Sequence, residues 1–273
     1  MIVDGKTIAE DMYGALAKRR ALLKDGIKLG IVVGGANPVI ESFVRIKTRA
    51  AARLDIEMVR VDLPENADTA FAIDAVKKLA GKTDSIIVQL PLPAGRQGFP
   101  SIDTEAVLGA IPPEKDVDAL NPTIPEDQHP VFAPVALAVA EILTRSNVAI
   151  EGTRTVVVGA GRLVGAPSAA LLKRLGARVS MFTLKEGSVD DLKDADIIVC
   201  GAGNPGFIKP EHIKEGVAIV DAGASESKGK VVGDADPACA EKASVFTPVP
   251  GGVGPIAVAM IFKNLFDLLD KRV

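Results

Sequence analysis

The chain has no tryptophan, a single tyrosine at Tyr13, two histidines and two cysteines among its 273 residues. Each scarcity closes off a class of chemistry. Nine phenylalanines are the only other aromatics, and a formal net charge of -3 offers no basic face to a polyanion. Nucleic acid is therefore not an expected partner. His129 and His212 stand apart from cysteines and acids at metal-ligand spacing, so no metal is expected and both read as surface histidines. Cys200 and Cys239 form no Cys-x-x-Cys pair, and Cys200 ends an apolar run. They read as buried, reduced thiols of a cytoplasmic protein. No run stays apolar long enough to cross a bilayer, and Met1 to Lys6 carries no export signal, so no membrane is expected. A phosphate-binding P-loop, a Gly-x-Ser-x-Gly elbow and long internal repeats are all missing from the sequence.

What is present is apolar and alternating. Hydrophobic residues make up 48% of the chain, enough to bury the cores of about two domains. Thr7 to Leu23 reads as a helix, Leu29 to Val33 as a strand ending at Gly34-Gly35, and Val39 to Leu54 as a helix. Met58 to Leu63 and Ser85 to Gln89 read as strands, flanking a helix from Asp68 to Leu79 with Asp68 as its N-cap. Leu90 to Pro134 is rich in proline and reads as a linker carrying functional loops. A helix from Pro134 to Leu143 then leads into five strands: Thr155 to Val158, Arg178 to Phe182, Asp196 to Cys200, Val217 to Val220 and Ser244 to Thr247. Pro255 to Leu269 is the last helix. Strands that alternate with helices over short connections build parallel sheets, whose ligands bind beyond the carboxyl ends of the strands. The expected fold is α/β with two domains: a parallel α/β substrate domain over residues 1–134 plus 255–273, and a Rossmann-like dinucleotide-binding domain over 135–254. The cleft between them is the expected site.

The second series opens on Thr155-Val156-Val157-Val158-Gly159-Ala160-Gly161-Arg162-Leu163-Val164-Gly165. The valine run has no polar alternation, as in a strand buried on both faces. Gly159 and Gly161 lack the Cβ that would hold a pyrophosphate off the backbone, and Gly165 permits close helix-to-strand packing. Glycines after a strand are also often only a tight turn. In the first series, Phe43, Lys47, Ala50 and Leu54 fall on one helical stripe that Lys47 interrupts. Its stem could simply cover apolar surface, or its ammonium could be desolvated toward a neutral pKa and handle protons. Gln89 ends an apolar strand just before Leu90-Pro91-Leu92-Pro93. Its amide could cap backbone, or hold a lysine amine in register. Lys115-Asp116-Val117-Asp118 is either a solvated turn or the source of a carboxylate that takes two parallel N–H bonds. Asp221-Ala222-Gly223 and Gly233-Asp234-Ala235-Asp236 read as strand ends lining a cofactor cleft, with Asp221 capping backbone groups.

These segments together resemble a known family. Asn37-Pro38 with Phe43-Val44-Arg45-Ile46-Lys47, Val88-Gln89-Leu90-Pro91-Leu92-Pro93, Lys115 to Asp118, Gly159 to Pro167 and Thr247-Pro248-Val249-Pro250-Gly251-Gly252-Val253-Gly254-Pro255 resemble, in order and spacing, the bifunctional methylenetetrahydrofolate dehydrogenase/methenyltetrahydrofolate cyclohydrolase family, FolD. The resemblance spans nearly the whole chain. It implies oxidation of 5,10-methylenetetrahydrofolate with NADP, or NAD, and hydrolysis of the methenyl product to 10-formyltetrahydrofolate. Lys47 matches the catalytic lysine and Gln89 the glutamine that orients it. Asp118 matches the carboxylate that holds the pterin ring, with Phe43, Gly252, Val253, Gly254 and Pro255 also on the substrate side. For the cofactor it implies Gly159, Ala160, Gly161, Arg162, Leu163, Val164, Gly165, Lys185 and Gly203. It also implies a homodimer.

Departures from the family pattern bear on both steps. Phe43 stands where the family has tyrosine, so a ring remains but a hydroxyl bond worth about 0.5–1.5 kcal/mol is gone. That weakens the hydrolytic step and leaves two other readings open: a dehydrogenase alone, or a silent folate- or dinucleotide-binding protein. The family's Gly-Arg-Ser is Gly159-Ala160-Gly161 here, and its histidine-serine pair is Thr183-Leu184. Lys185 with Arg162 would suit a 2'-phosphate, whereas Glu186 would suit a ribose diol.

Overall fold

A computed structural model of the chain describes residues 1–23, 26–35, 37–95, 101–125, 128–183, 187–227 and 230–271. The chain divides into two compact units, Tyr13–Val131 with Ile261–Val273, and Met1–Met12 with Phe132–Met260. The expected boundaries at 134/135 and 254/255 thus fall a few residues from these. The first twelve residues group with the later unit because Val3 N donates to Phe246 O at 2.9 Å and Gly5 N to Gly251 O at 3.1 Å.

The first unit is built from α1 (Gly5–Arg20), β1 (Lys28–Gly34), α2 (Pro38–Arg53), β2 (Glu57–Leu63), α3 (Thr69–Ala80), β3 (Ser85–Gln89) and α4 (Thr104–Leu108), α1 entering it at Tyr13. Its three strands are parallel in the order β2-β1-β3. The helix starts are written in the sequence. Asn37 caps α2 by accepting from Val39 N at 2.8 Å with Pro38 in the first turn, and Asp68 caps α3 by accepting from Phe71 N at 2.8 Å. α2 turns Ile40, Val44, Ala50 and Ala51 inward. Burial of Ile40 and Val44 stabilises that docking by about 1.5–3 kcal/mol each. Of the expected apolar stripe, Ala50 and Leu54 are buried and only Phe43, 48% exposed, turns outward. The supposed linker after Gln89 contains α4 and a 3₁₀ turn at Pro113–Lys115.

The second unit carries α5 (Pro134–Arg145), β4 (Arg154–Val158), α6 (Gly165–Arg174), β5 (Arg178–Phe182), β6 (Ile197–Cys200), β7 (Ala218–Asp221), β8 (Ser225–Ser227), β9 (Lys230–Val232), β10 (Val245–Phe246) and the start of α7 (Val253–Asp270). Five parallel strands run β10-β7-β6-β4-β5, and β8 pairs β9 antiparallel. The hairpin is absent from the sequence reading, and α7 begins two residues before the expected Pro255. β4, β6 and β7 are buried on both faces, as a parallel sheet sandwiched by helices requires, and Cys200 and Cys239 lie fully inside. Both sheets share one pattern. The first strand of each series lies between the second and third, so the connections diverge on either side of a crevice at the carboxyl ends of the first and third.

Candidate functional site

In the first unit that crevice lies beyond Gly34 and Gln89. Gln89 is the last residue of β3, paired with Val33, and is 6% exposed. Its amide is fixed from both ends: Nε2 donates to Leu90 O at 2.8 Å and Oε1 accepts from Lys47 Nζ at 2.8 Å. Lys47, halfway along α2, thereby has its amine drawn off the helix surface toward the sheet edge. Burial pulls the Lys47 ammonium below the usual lysine range, and the Asp118 carboxylate opposes part of that shift. Phe43 sits one turn earlier with its ring half exposed.

Asp118 is held by a loop with its own carboxylate clamp. Asp116, 1% exposed, accepts from Asp118 N at 3.2 Å, Leu120 N at 2.8 Å and Asn121 N at 2.8 Å. Asn264 of α7 donates from Nδ2 to Val117 O at 2.8 Å. Lys115, expected only as part of an acidic turn, donates from Nζ to Ala80 O and Thr83 O and so binds the end of α3. Burial pushes the Asp118 carboxyl up to about 6; Lys47 pulls it down and Asp116 adds to the rise. Lys47 is therefore joined to Gln89 by a hydrogen bond and to Asp118 by charge.

A carboxyl raised from the ordinary 3.8 to about 6 binds its proton more tightly folded than unfolded. That contribution to stability is whole below about pH 4 and is lost as pH rises through 6. Asp118→Asn is expected to be more stable than the parent at pH 7 by about 1–3 kcal/mol, with the difference vanishing below about pH 4. Urea unfolding across pH 3.5–7.5 checks it, and a variant less stable than the parent at pH 7 contradicts it.

In the second unit the crevice lies between the ends of β4 and β6. Gly159 has φ +98°, and a Cβ there would sit 2.6 Å from Gly201 O, so the contact between the two loops also requires a glycine at this position. A Cβ on Gly165 would lie 1.9 Å from Gly159 O, which is the close packing anticipated. Gly161 borders open space, where a Cβ would meet only Gly201 O at 4.0 Å. Ala160, Gly161, Arg162 and Leu163 are exposed, whereas Val164 packs its methyls on Gly201. Gly203, also exposed, has φ +69°. Lys185 and Glu186 lie outside the described residues.

Gly252 and Val253 are buried, and Gly254 is exposed. They form the braced start of α7: Gly252 N donates to Pro248 O at 2.8 Å, and a Cβ on Gly5 would strike Gly252 O at 1.8 Å. Among the described residues no group of three or more histidine, cysteine or acidic side chains could hold a metal ion, and no helix is long and apolar enough to cross a membrane.

Comparison with known proteins gives the arrangement its relatives. The model of the tetrahydrofolate dehydrogenase/cyclohydrolase catalytic domain matches residues 3–118, and that of the family's NAD(P)-binding domain matches residues 133–273. This chain belongs to the tetrahydrofolate dehydrogenase/cyclohydrolase family. The bifunctional protein FolD of Methanoculleus marisnigri is 38% identical over 288 aligned residues, covering 100% of this chain and 97% of the relative. The Campylobacter jejuni FolD structure superposes with a TM-score of 0.93 at 29% identity, covering 100% and 99% of the two chains. A Trypanosoma brucei FolD, solved with NADP cofactor and an inhibitor, superposes at 0.91 with 32% identity over 100% and 98%.

Family membership implies a nicotinamide dinucleotide, and the second unit fits one. The exposed turn at Gly161 leaves backbone accessible beside the first turn of α6, at the point where the strand order reverses. Sequence reasoning missed Gly201 and Asn264, and named Asp116 only as part of its acidic turn. Gly201 had a local signal, since Cys200-Gly201-Ala202-Gly203 repeats the strand-then-glycine form of Val158-Gly159-Ala160-Gly161.

Proposed function

We propose that this family member oxidises 5,10-methylenetetrahydrofolate with NADP⁺ and hydrolyses the methenyl product to 10-formyltetrahydrofolate. The observation that carries the reading is the Lys47–Gln89 bond, with a desolvated amine at its centre. When bound, the dinucleotide supplies the hydride acceptor for the methylene carbon. Gly159, Ala160, Gly161, Arg162, Leu163, Val164, Gly165, Lys185 and Gly203 would hold it, and Arg162 favours the 2'-phosphate of NADP. Phe43 offers a ring to the substrate, and Gly252 to Pro255 complete the substrate side. Asp118 is ionised above about pH 6 and accepts two N–H bonds from the amidine-like edge of the pterin.

Hydrolysis then follows from the amine. Water attacks the methenyl carbon and passes one proton to the Lys47 amine, whose burial favours the uncharged form. The new hydroxyl gives up its second proton as the bond from that carbon to one ring nitrogen breaks, the departing nitrogen takes up a proton, and the formyl C=O is left with one proton released overall. Gln89 receives one lysine N–H, which fixes the direction of the amine's lone pair. The hydroxyl that Phe43 lacks is not needed for this hold, since the Gln89 amide already supplies it; that favours the bifunctional reading over a dehydrogenase alone. The protein is proposed to work as a cytoplasmic homodimer.

The test is a spectrophotometric assay of purified protein with 5,10-methylenetetrahydrofolate and NADP⁺ or NAD⁺ in parallel. Reduced nicotinamide is expected to form faster with NADP⁺, without methenyl accumulation beyond a control lacking hydrolase. Accumulation matched to reduced nicotinamide would leave a dehydrogenase only, and no turnover with measurable folate binding would leave a silent binder.

A further inference from the structure

The two acidic turns that the sequence offers at Asp221 and Asp234 are not used by the chemistry above, yet both are sealed inside the second unit. Asp234 is fully buried, and its carboxylate accepts three backbone N–H groups of one loop: Ala202 N at 2.7 Å and Gly203 N at 3.2 Å on Oδ2, and Asn204 N at 2.7 Å on Oδ1. An acceptor-only group with two oxygens suits three convergent donors as no neutral side chain does. Asp221, 1% exposed, accepts Gly223 N at 2.9 Å and Ala235 N at 2.8 Å. The two turns interlock through their glycines. A Cβ on Gly223 would lie 2.4 Å from the Asp234 carboxyl carbon, and one on Gly233 would lie 2.2 Å from Asp221 Oδ2. Each carboxylate therefore occupies the space that the other turn's glycine leaves.

The loop held this way is the far wall of the crevice. It leaves the end of β6, and Gly201 at its base touches both Gly159 and the Val164 methyls. A displacement of Ala202 to Asn204 must therefore pass to the glycine turn and to the first turn of α6. We propose that Asp234 is a positioning residue for the dinucleotide cradle, fixing the Ala202–Asn204 backbone so that the walls after β4 and β6 stand at ligand spacing. Its role rests on the dinucleotide reading above and adds a determinant far from the glycine turn in sequence.

Asp234→Asn keeps the shape but puts an NH₂ against at least one of the three N–H donors. Calorimetric titration with NADP⁺ and NAD⁺ is expected to show a Kd at least about tenfold weaker than wild type. The affinity for 5,10-methenyltetrahydrofolate should stay within about twofold, which a general loosening of the protein would not allow. An unchanged dinucleotide Kd in a folded variant, or an equal loss of both affinities, overturns the proposal. Hydrogen exchange on the wild-type protein keeps the test independent of whether the variant folds. The amides of Ala202, Gly203 and Asn204 should exchange at least about a hundredfold more slowly than unprotected backbone, which is the protection expected where local opening costs a few kcal/mol. They should slow further when NADP⁺ is added. Unprotected exchange, or no response to a dinucleotide that binds, overturns it. A wild-type chain that calorimetry finds to bind neither dinucleotide overturns the dinucleotide reading first, and this role with it.

Discussion

Lys47→Met is expected to lower the hydrolysis of 5,10-methenyltetrahydrofolate by about 10²- to 10⁴-fold, the range that a positioned proton-transfer group contributes. Methionine keeps an unbranched apolar stem on α2 and removes only the amine that donates to Gln89 Oε1 at 2.8 Å. The fold should survive because the buried face of α2 is carried by Ile40, Val44, Ala50 and Ala51. Hydride transfer needs no strong base, so reduced nicotinamide should still form, now with methenyl product accumulating. Lys47→Arg should not restore hydrolysis, because a guanidinium does not give up its proton at any working pH. Hydrolysis by Lys47→Met within twofold of wild type would remove Lys47 from the chemistry.

The second large effect is expected at Gly165. A methyl placed there meets Gly159 O at 1.9 Å and Gly159 C at 2.7 Å, and both are backbone atoms of the turn it packs on. Gly165→Ala must therefore push α6 away from the end of β4, at an expected cost of about 3 kcal/mol or more. Dinucleotide affinity should fall with it, because the exposed turn and the helix start move together. Urea unfolding and calorimetry check both parts. Gly161→Ala is the control for stability alone, since its methyl enters open space 4.0 Å from Gly201 O, where the dinucleotide would lie. A Gly165→Ala protein as stable as the control would mean that the turn relaxes without strain.

The order of strands and helices is legible because most strands are uniform apolar runs ended by glycine or by a polar residue, and because Asn37 and Asp68 mark helix starts by local chemistry. Which stripe of α2 is buried is not legible to the same degree. Ala50 and Leu54 of the expected stripe are buried, but at its start periodicity does not say whether Phe43 or the neighbouring Val44 meets the sheet. The structure buries Val44 and leaves Phe43 half exposed. The hairpin of β8 and β9 escapes because Ser225–Ser227 and Lys230–Val232 are three residues each and carry no alternating pattern. Lys47 and Gln89 could be paired only through motif order, since their hydrogen bond joins residues 42 apart between α2 and β3, and Asp118 reaches Lys47 through its charge from a separate loop. Asp116 and Asp234 show the opposite limit. Their turns stand out in the sequence, but their partners are backbone N–H groups, which every residue type supplies, so no side-chain pattern says which residues each carboxylate holds.

The interior placement of the cysteines has a practical consequence. Cys200 and Cys239 are both fully enclosed, and burial holds each thiol above its usual pKa, Cys239 at about 11, so neither presents a thiolate to a reagent in the native state. Maleimide dyes will therefore pass over the folded wild-type chain. A single cysteine introduced on an exposed helix position, such as Arg49 on α2 or Lys173 on α6, becomes the sole labelling handle without any background substitution. A pair of such handles, one in each unit, would report changes in the distance between the units by fluorescence transfer, in a chain with no tryptophan to complicate the optics.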